Sequence, residues 1–488
     1  MPLMLLVPPA LIARDTKPAD LHAARLSAEK AITQDNLRDY LTFIASDALQ
    51  GRDTPSAGLD AAAQFIAFHL KRWGVKPAGD EGTYFQKIPM VRRGYDAAKT
   101  VADVDGIKLR FSTEFTVLSG SGTTTGKLIY VPEEVGSTDV KGKLVLLGTA
   151  TNPSEVTAAV QGGASGVVRL TGGKQSSWMR SSTVRAGGYR IESGTPTTPA
   201  LSPPAISLSP EASADLIDEL KLTGKVALPL DKEATVSVES RTERIFTQNV
   251  VGIVEGVDSK LKDEYVALGA HYDHIGMRTS GEGDLINNGA DDDGSGTVSI
   301  LAIAEAATKA RPKRSLLFVW HCGEEKGMWG SSYFTDHPTV PLGQIITQLN
   351  IDMVGRSKPE GDTKPANRTL TAANAIYVIG TTMMSTQLGK LVQDTNNSYL
   401  KISYDPRYDA PDDPNRFFFR SDHYSYARKG IPICFWFDGE HEDYHRVGDE
   451  VSKIDFVKIE KIARTVFLTA VNVGNQPRRP TVDKPLNR

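Results

Sequence analysis

Residues 265–274 read YVALGAHYDH: a six-residue apolar run, Tyr265–Ala270, that ends in His271, Tyr272, Asp273 and His274. The construction recurs. Ser315–Trp320 (SLLFVW) is followed by His321, Cys322, Gly323, Glu324 and Glu325; the run 344–351 (QIITQLNI) by Asp352; and Ile431–Phe437 (IPICFWF), within eight residues, by His441 and His445. Short continuous apolar runs bounded by turn residues read as strands buried on both faces, and Asn249–Val254 is another. Gly296–Lys309 is apolar nearly all round, through Val298, Ile300, Leu301 and Ile303, which predicts a helix enclosed in the core. Buried strands alternating with helices define an α/β class: a mixed, mainly parallel sheet sandwiched by helices.

Outward from this region the texture changes. Asp35–Ala48 and Leu59–Trp73 read as amphipathic helices, with Leu37, Leu41, Phe43 and Ile44 on one stripe and Ala63, Phe65, Ile66 and Leu70 on the other. Residues 112–240 form short β-rich runs (Lys127–Val131, Lys143–Leu147, Gly166–Leu170, Lys225–Leu230) separated by Gly, Ser, Thr and Pro, and this predicts a separate module. The expected organisation is a tail or signal remnant over 1–30, a first catalytic segment over 31–111, an insert over 112–240, the main catalytic segment over 241–475 and a polar tail over 476–488.

With 56 basic and 59 acidic residues the chain is nearly neutral, which argues against a nucleic-acid partner. No apolar run reaches about 18 residues, so no membrane span is expected. Two cysteines, Cys322 and Cys434, exclude a disulfide framework but not a single bridge.

The polar clusters fall just past strand ends, where the carboxyl edge of an open α/β sheet forms its ligand crevice. The run 287–296 (NNGADDDGSG) lies directly before the enclosed helix. Imidazoles and carboxylates converging in one crevice suit Zn²⁺, and a carboxylate has two oxygens with which to bridge two ions. A workable allocation gives His271 and Asp352 to one metal and His445 and Glu325 to the other, with Asp291 bridging. Asp273 is placed to orient His271, and Glu324, whose side chain diverges from that of Glu325, is free to act as general base.

The series GAHYDH, NNGADDDGSGT, GEEKGMWGS, LNIDMVG, RSDHYSYARKGIP and DYHRVGDE resembles, in order and spacing, the di-zinc exopeptidase family of bacterial leucyl aminopeptidase, aminopeptidase Y and glutamate carboxypeptidase. The likeness covers about residues 248–475. It implies a zinc-peptidase fold of the phosphorylase/hydrolase-like type with a protease-associated insert, two Zn²⁺ per chain and a peptide substrate. Its ligands would be His271, Asp291, Glu325, Asp352 and His445, with Glu324 as base, Asp273 as orienter and a cis peptide between Asp291 and Asp292. Ser421, Asp422 and His423, with Arg420, would be pocket residues. The implied reaction is release of the N-terminal residue of a peptide through a metal-bridging water activated by Glu324; a secretory-signal remnant at the N-terminus would make the protein periplasmic or extracellular. A carboxypeptidase-like or glutaminyl-cyclase-like relative, and a binding protein that has lost its metals, are the competing readings.

Other signals compete. Asp291–Asp293 alone would read as a helix-capping acidic turn. His441–His445 spells H-E-x-x-H, a zinc signature that requires a helix, yet Gly439 and Gly448 flank it and no apolar stripe supports one. Residues 120–127 (GSGTTTGK) have the wrong spacing for a phosphate loop and read as a turn before a strand. His22, His69 and His337 read as surface residues.

Overall fold

The buried apolar runs become neighbouring strands. In the computed structural model, which describes residues 17–176, 178, 188–192, 202–484 and 486, two units separate: residues up to 88 together with 246–488, and residues 89–245. The apolar N-terminal stretch and part of the segment 171–210 lie outside the described residues.

The first unit contains helices α1 (Leu21–Ala31), α2 (Gln34–Ile44) and α3 (Ala57–Trp73), followed by strand β1 (Ser240–Val254, in this unit from Phe246 onward), β2 (Tyr265–His271), α4 (Gly296–Lys309), β3 (Ser315–His321), β4 (Ile345–Ile351), β5 (Ala375–Ile379), β6 (Ser403–Asp405), β7 (Ile433–Phe437) and α5 (Phe456–Asn475). Seven strands of its sheet run in the order β6–β5–β7–β4–β2–β3–β1. The central neighbours β3, β2, β4 and β7 are parallel, whereas β1 and β5 are antiparallel to β3 and β7. The class is therefore mixed α/β. Strands β2, β3 and β4 are buried along almost their whole length, as continuous apolar runs require.

Helix α4 packs on β2, β3 and β4 and is covered by α1, α2, α3 and α5, which explains its all-round apolar sequence. Helix α1 lies inside the stretch expected to be a tail. It has a weak apolar pattern because it docks through Ala24 and Ala28, small residues that permit close approach to α4. Phe43 is not on the buried stripe of α2; it is 38% exposed and stacks on Phe65. His69 is not a surface residue: it is half-buried among Tyr40, Phe65 and Trp73. At the C-terminus, Arg479 pairs with Glu264 and Val482 packs on the core, so the polar tail is partly docked.

The second unit is an eight-stranded mixed sheet with its own apolar clusters and the helices Ser154–Gln161 and Pro210–Glu219. It begins before residue 112, because the hairpin Val101–Val104/Ile107–Leu109 belongs to its sheet: Val101–Val104 pairs with Ser237–Ala234. Residues from Gly122 onward, expected as a turn, already belong to the strand Gly122–Val131.

Candidate metal centre

The carboxyl ends of β2, β3, β4 and β7 and the turn before α4 supply the site. His271 ends β2, and Asp352 directly follows β4. Glu324 and Glu325 occupy the turn after β3, and His445 sits in the turns after β7, with a left-handed φ of 54°.

Asp292 lies between the two histidines. Its Oδ1 is 3.2 Å from His271 Nε2, and its Oδ2 is 3.2 Å from His445 Nε2. Asp352 Oδ2 stands 3.7 Å from His271 Nε2, and Glu325 Oε2 stands 3.0 Å from His445 Nε2. The place between the two histidines, expected for Asp291, is thus taken by Asp292, and the cis peptide joins Asp292 to Asp293 rather than Asp291 to Asp292.

The three aspartates divide their tasks. Asp291 turns away, its Oδ1 accepting from Gly355 N–H at 2.6 Å and its Oδ2 facing His441 Nε2 at 3.3 Å. The ligand-capable atoms of Asp293 lie close to those of His271 and Asp352, but they are engaged: they accept the N–H groups of His271 (3.1 Å), Gly296 (2.9 Å) and Met353 (3.2 Å). Of the three, Asp292 alone faces both His271 and His445. The carboxylate of Asp449 holds the turn by accepting the N–H groups of Asp291 and Asp292.

Asp273 relates to His271 through its carbonyl: His271 Nδ1 is 3.1 Å from that oxygen and 3.6 Å from the carboxylate. The carboxylate accepts instead from Glu324 N–H at 3.1 Å, so Asp273 couples the β2 end to the turn that carries Glu324. Ser421 Oγ–H donates to Asp352 Oδ2 at 2.6 Å and accepts from Asn350 Nδ2–H at 3.0 Å.

His271, Asp292, Glu324, Asp352, Ser421 and Arg420 open on one cleft, with Phe417, Phe435 and Phe437 as its apolar wall and Arg420 paired to Glu440 at 2.8 Å. Asp422 and His423, expected beside it, are buried behind it. Asp422 Oδ2 is 3.3 Å from His321 Nδ1, while His423 stacks on Phe435 and its Nε2 lies 2.8 Å from the Phe418 carbonyl. Residues 441–445 form turns, and His441 is buried against Asp291. Cys322 and Cys434 are both free and buried.

Sequence reasoning missed His274. Its Nδ1 is 2.7 Å from Glu325 Oε1, and a histidine three residues after a proposed ligand was the available signal.

Burial works against every charge in this cluster. It holds the Glu324 carboxyl well above the usual carboxylate range, and neighbouring carboxylates add to the effect. The Asp292 carboxyl is held well below that range, because its hydrogen bonds to His271 and His445 outweigh burial. The same bonds, with Glu325, raise His445 to about 10 against the pull of burial.

The donor set suits divalent metal ions. Ligand-capable atoms of His274, Asp292 and Glu325 form one group and those of His271, Asp293 and Asp352 another, each within 4.8 Å. His274 Nε2 is buried without a hydrogen-bond partner, and Asp292 Oδ2, Glu325 Oε1 and His274 Nδ1 face only other ligand-type atoms, an arrangement whose cost a bound cation removes.

Fold and site define a mixed α/β protein with a buried histidine–carboxylate cluster at its parallel strand ends. Residues 249–470 match the model of Peptidase family M28. The chain is 27% identical over 292 residues to the probable leucine aminopeptidase 2 of Aspergillus oryzae, covering 53% of this chain and 52% of that protein. It is likewise 27% identical over 277 residues to aminopeptidase Y of Saccharomyces cerevisiae, covering 54% and 46%. It therefore spans about half the length of the curated relatives it matches. Among solved structures it is similar to a zinc aminopeptidase from Bacillus subtilis, at 18% identity and a TM-score of 0.47, covering 93% of this chain and 99% of that one. No described helix is long and apolar enough to cross a membrane.

Proposed function

We propose that the protein is a two-zinc aminopeptidase that releases the N-terminal residue of peptides. The observation that carries this reading is Asp292, with one oxygen 3.2 Å from His271 and the other 3.2 Å from His445. His271, Asp352 and Asp292 would hold one ion; His445, Glu325 and Asp292 would hold the other. Bound zinc supplies Lewis acidity toward a scissile carbonyl and toward water.

The protein's own groups do the rest. Glu324, buried in the cleft and fixed through its N–H to Asp273, is the base that takes a proton from the attacking water and returns it to the leaving amine. Ser421 and Asn350 hold Asp352 in a single orientation. Phe417, Phe435 and Phe437 offer an apolar surface to the side chain of the N-terminal residue. The unit at residues 89–245 is the counterpart of a protease-associated insert, a reading supported by its β-rich sheet and its place between the two parts of the first unit.

The test is a panel of aminoacyl chromogenic amides, each with and without an N-terminal acetyl block, assayed alongside Glu324→Ala. Cleavage confined to the unblocked series and lost in the variant is expected. Equal cleavage of both series overturns the aminopeptidase reading.

A further inference from the structure

Beneath the site runs a strap from outside the family-matched segment, residues 51–54. Gln50, Gly51 and Arg52 all have positive φ (51°, 70° and 48°), a conformation that glutamine and arginine adopt only where surrounding structure imposes it. At Gly51 no side chain fits: a Cβ there would lie 2.5 Å from the Asn287 carbonyl oxygen and 2.6 Å from that of Gly276.

That closeness lets the strap make three bonds to two loops of the site. Gly276 N–H donates to the Gly51 carbonyl (3.0 Å), His274 N–H to the Arg52 carbonyl (3.2 Å), and Gly323 N–H to Thr54 Oγ1 (3.1 Å). The Arg52 side chain is fully buried. Its Nε–H donates to the Tyr272 carbonyl (2.9 Å), Nη1 to those of Ile44 and Asn288 (2.6 Å each), and Nη2 to that of Gly289 (3.0 Å).

The anchored positions neighbour the chemistry. Tyr272 follows His271, Gly289 precedes Asp292 by three residues, and Gly323 precedes Glu324. A guanidinium is costly to bury. Here it serves two needs at once: its planar fork fits carbonyls arriving from three segments, and its charge faces Asp273, Asp292, Asp293 and Asp449.

We propose that Arg52 and Thr54 are positioning residues of the metal centre. Arg52 sets the His271 and Asp292 sides of the cradle relative to each other, and Thr54 sets the turn that presents Glu324 and Glu325. This rests on the metallopeptidase reading above.

The test uses the full chain with Arg52→Lys, Thr54→Val and Thr54→Ser. Zinc affinity is measured by competition with a chromophoric chelator, and site geometry by the absorption spectrum of the cobalt(II)-loaded protein. Folding is followed by circular dichroism without metal. Arg52→Lys is expected to keep the wild-type fold, weaken zinc about 10–100-fold and shift the cobalt bands. Thr54→Val is expected to lower kcat with KM unchanged, and Thr54→Ser to restore it. Wild-type zinc affinity and cobalt bands in Arg52→Lys, with wild-type kcat in Thr54→Val, overturn the inference. If Arg52→Lys does not fold, the Thr54 pair decides it. A wild-type chain that binds no zinc overturns the metallopeptidase reading itself, an outcome distinct from failure of the variants alone.

Discussion

Asp292 faces two histidines that are 174 residues apart in the chain, presenting Oδ1 to His271 and Oδ2 to His445, each at 3.2 Å. Asp291, one residue earlier, points at the Gly355 amide and at His441 instead. Asp292→Asn should therefore leave less than one zinc per chain after gel filtration, whereas Asp291→Asn should retain two. Elemental analysis of both variants checks this, and equal losses would show that the cradle is not centred on Asp292.

Glu324 lines the cleft without facing either histidine at ligand distance among the described contacts. Glu324→Gln should keep its zinc content and lose about 10³-fold in kcat, the scale of a general base. A variant that loses metal and activity together would make Glu324 a ligand.

His441 and His445 should part company. His445→Gln removes the partner of Glu325 and Asp292 and should cost the second zinc. His441→Gln leaves Asp291 Oδ2 buried without its neighbour, which should lower stability by about 1–3 kcal/mol while both ions remain. Zinc titration and urea unfolding of the two variants separate these outcomes, and loss of metal in His441→Gln as complete as in His445→Gln would refute the assignment.

Ser421 ties Asp352 to Asn350. Ser421→Ala should weaken zinc binding about 10–100-fold, as removal of a ligand's hydrogen-bond partner does, and Ser421→Thr should recover most of it. Unchanged affinity in the alanine variant would remove Ser421 from the site.

Burial draws the His423 imidazole down from 6.5 to about 4, with the bond to Phe418 only partly opposing it. Because the folded-state pKa is the lower one, the unfolded chain takes up the proton first. The contribution is flat above about pH 6.5, declines as pH falls toward 4 and is flat again below, amounting to about 3 kcal/mol in all. Subtracting His423→Gln from wild type in urea unfolding isolates the effect, since the other acid-sensitive groups are common to both. A difference that does not change between pH 7.5 and 4.5 would show that His423 is not buried neutral.

The strands and the crevice were legible because buried apolar runs and the polar residues that end them are contiguous in sequence. The choice among Asp291, Asp292 and Asp293 was not. These residues lie in an irregular turn, with φ/ψ of −98°/102° at Asp292 and −112°/50° at Asp293, so neither helical nor strand periodicity says where each side chain points. Helix α1 escaped because it docks through alanines, and the start of the second unit because the hairpin at 101–109 pairs with residues far along the chain. Arg52 was invisible for a related reason: its acceptors are carbonyls from Ile44, Tyr272, Asn288 and Gly289, and carbonyl groups leave no trace in residue type.

The covering of α4 by the first three helices bears on biosynthesis. Ser27 Oγ–H donates to the carbonyl of Ala306, 279 residues later in the chain, and Ala19 N–H donates to that of Arg311. At about 5–20 residues per second, a ribosome leaves α1 to α3 without their partner for roughly 15–60 s. Leu37, Leu41, Ile66 and Leu70, all fully enclosed in the finished protein, face solvent or a chaperone throughout that interval. Nascent chains stalled between residues 90 and 290 should accordingly be the most dependent on holdase capture.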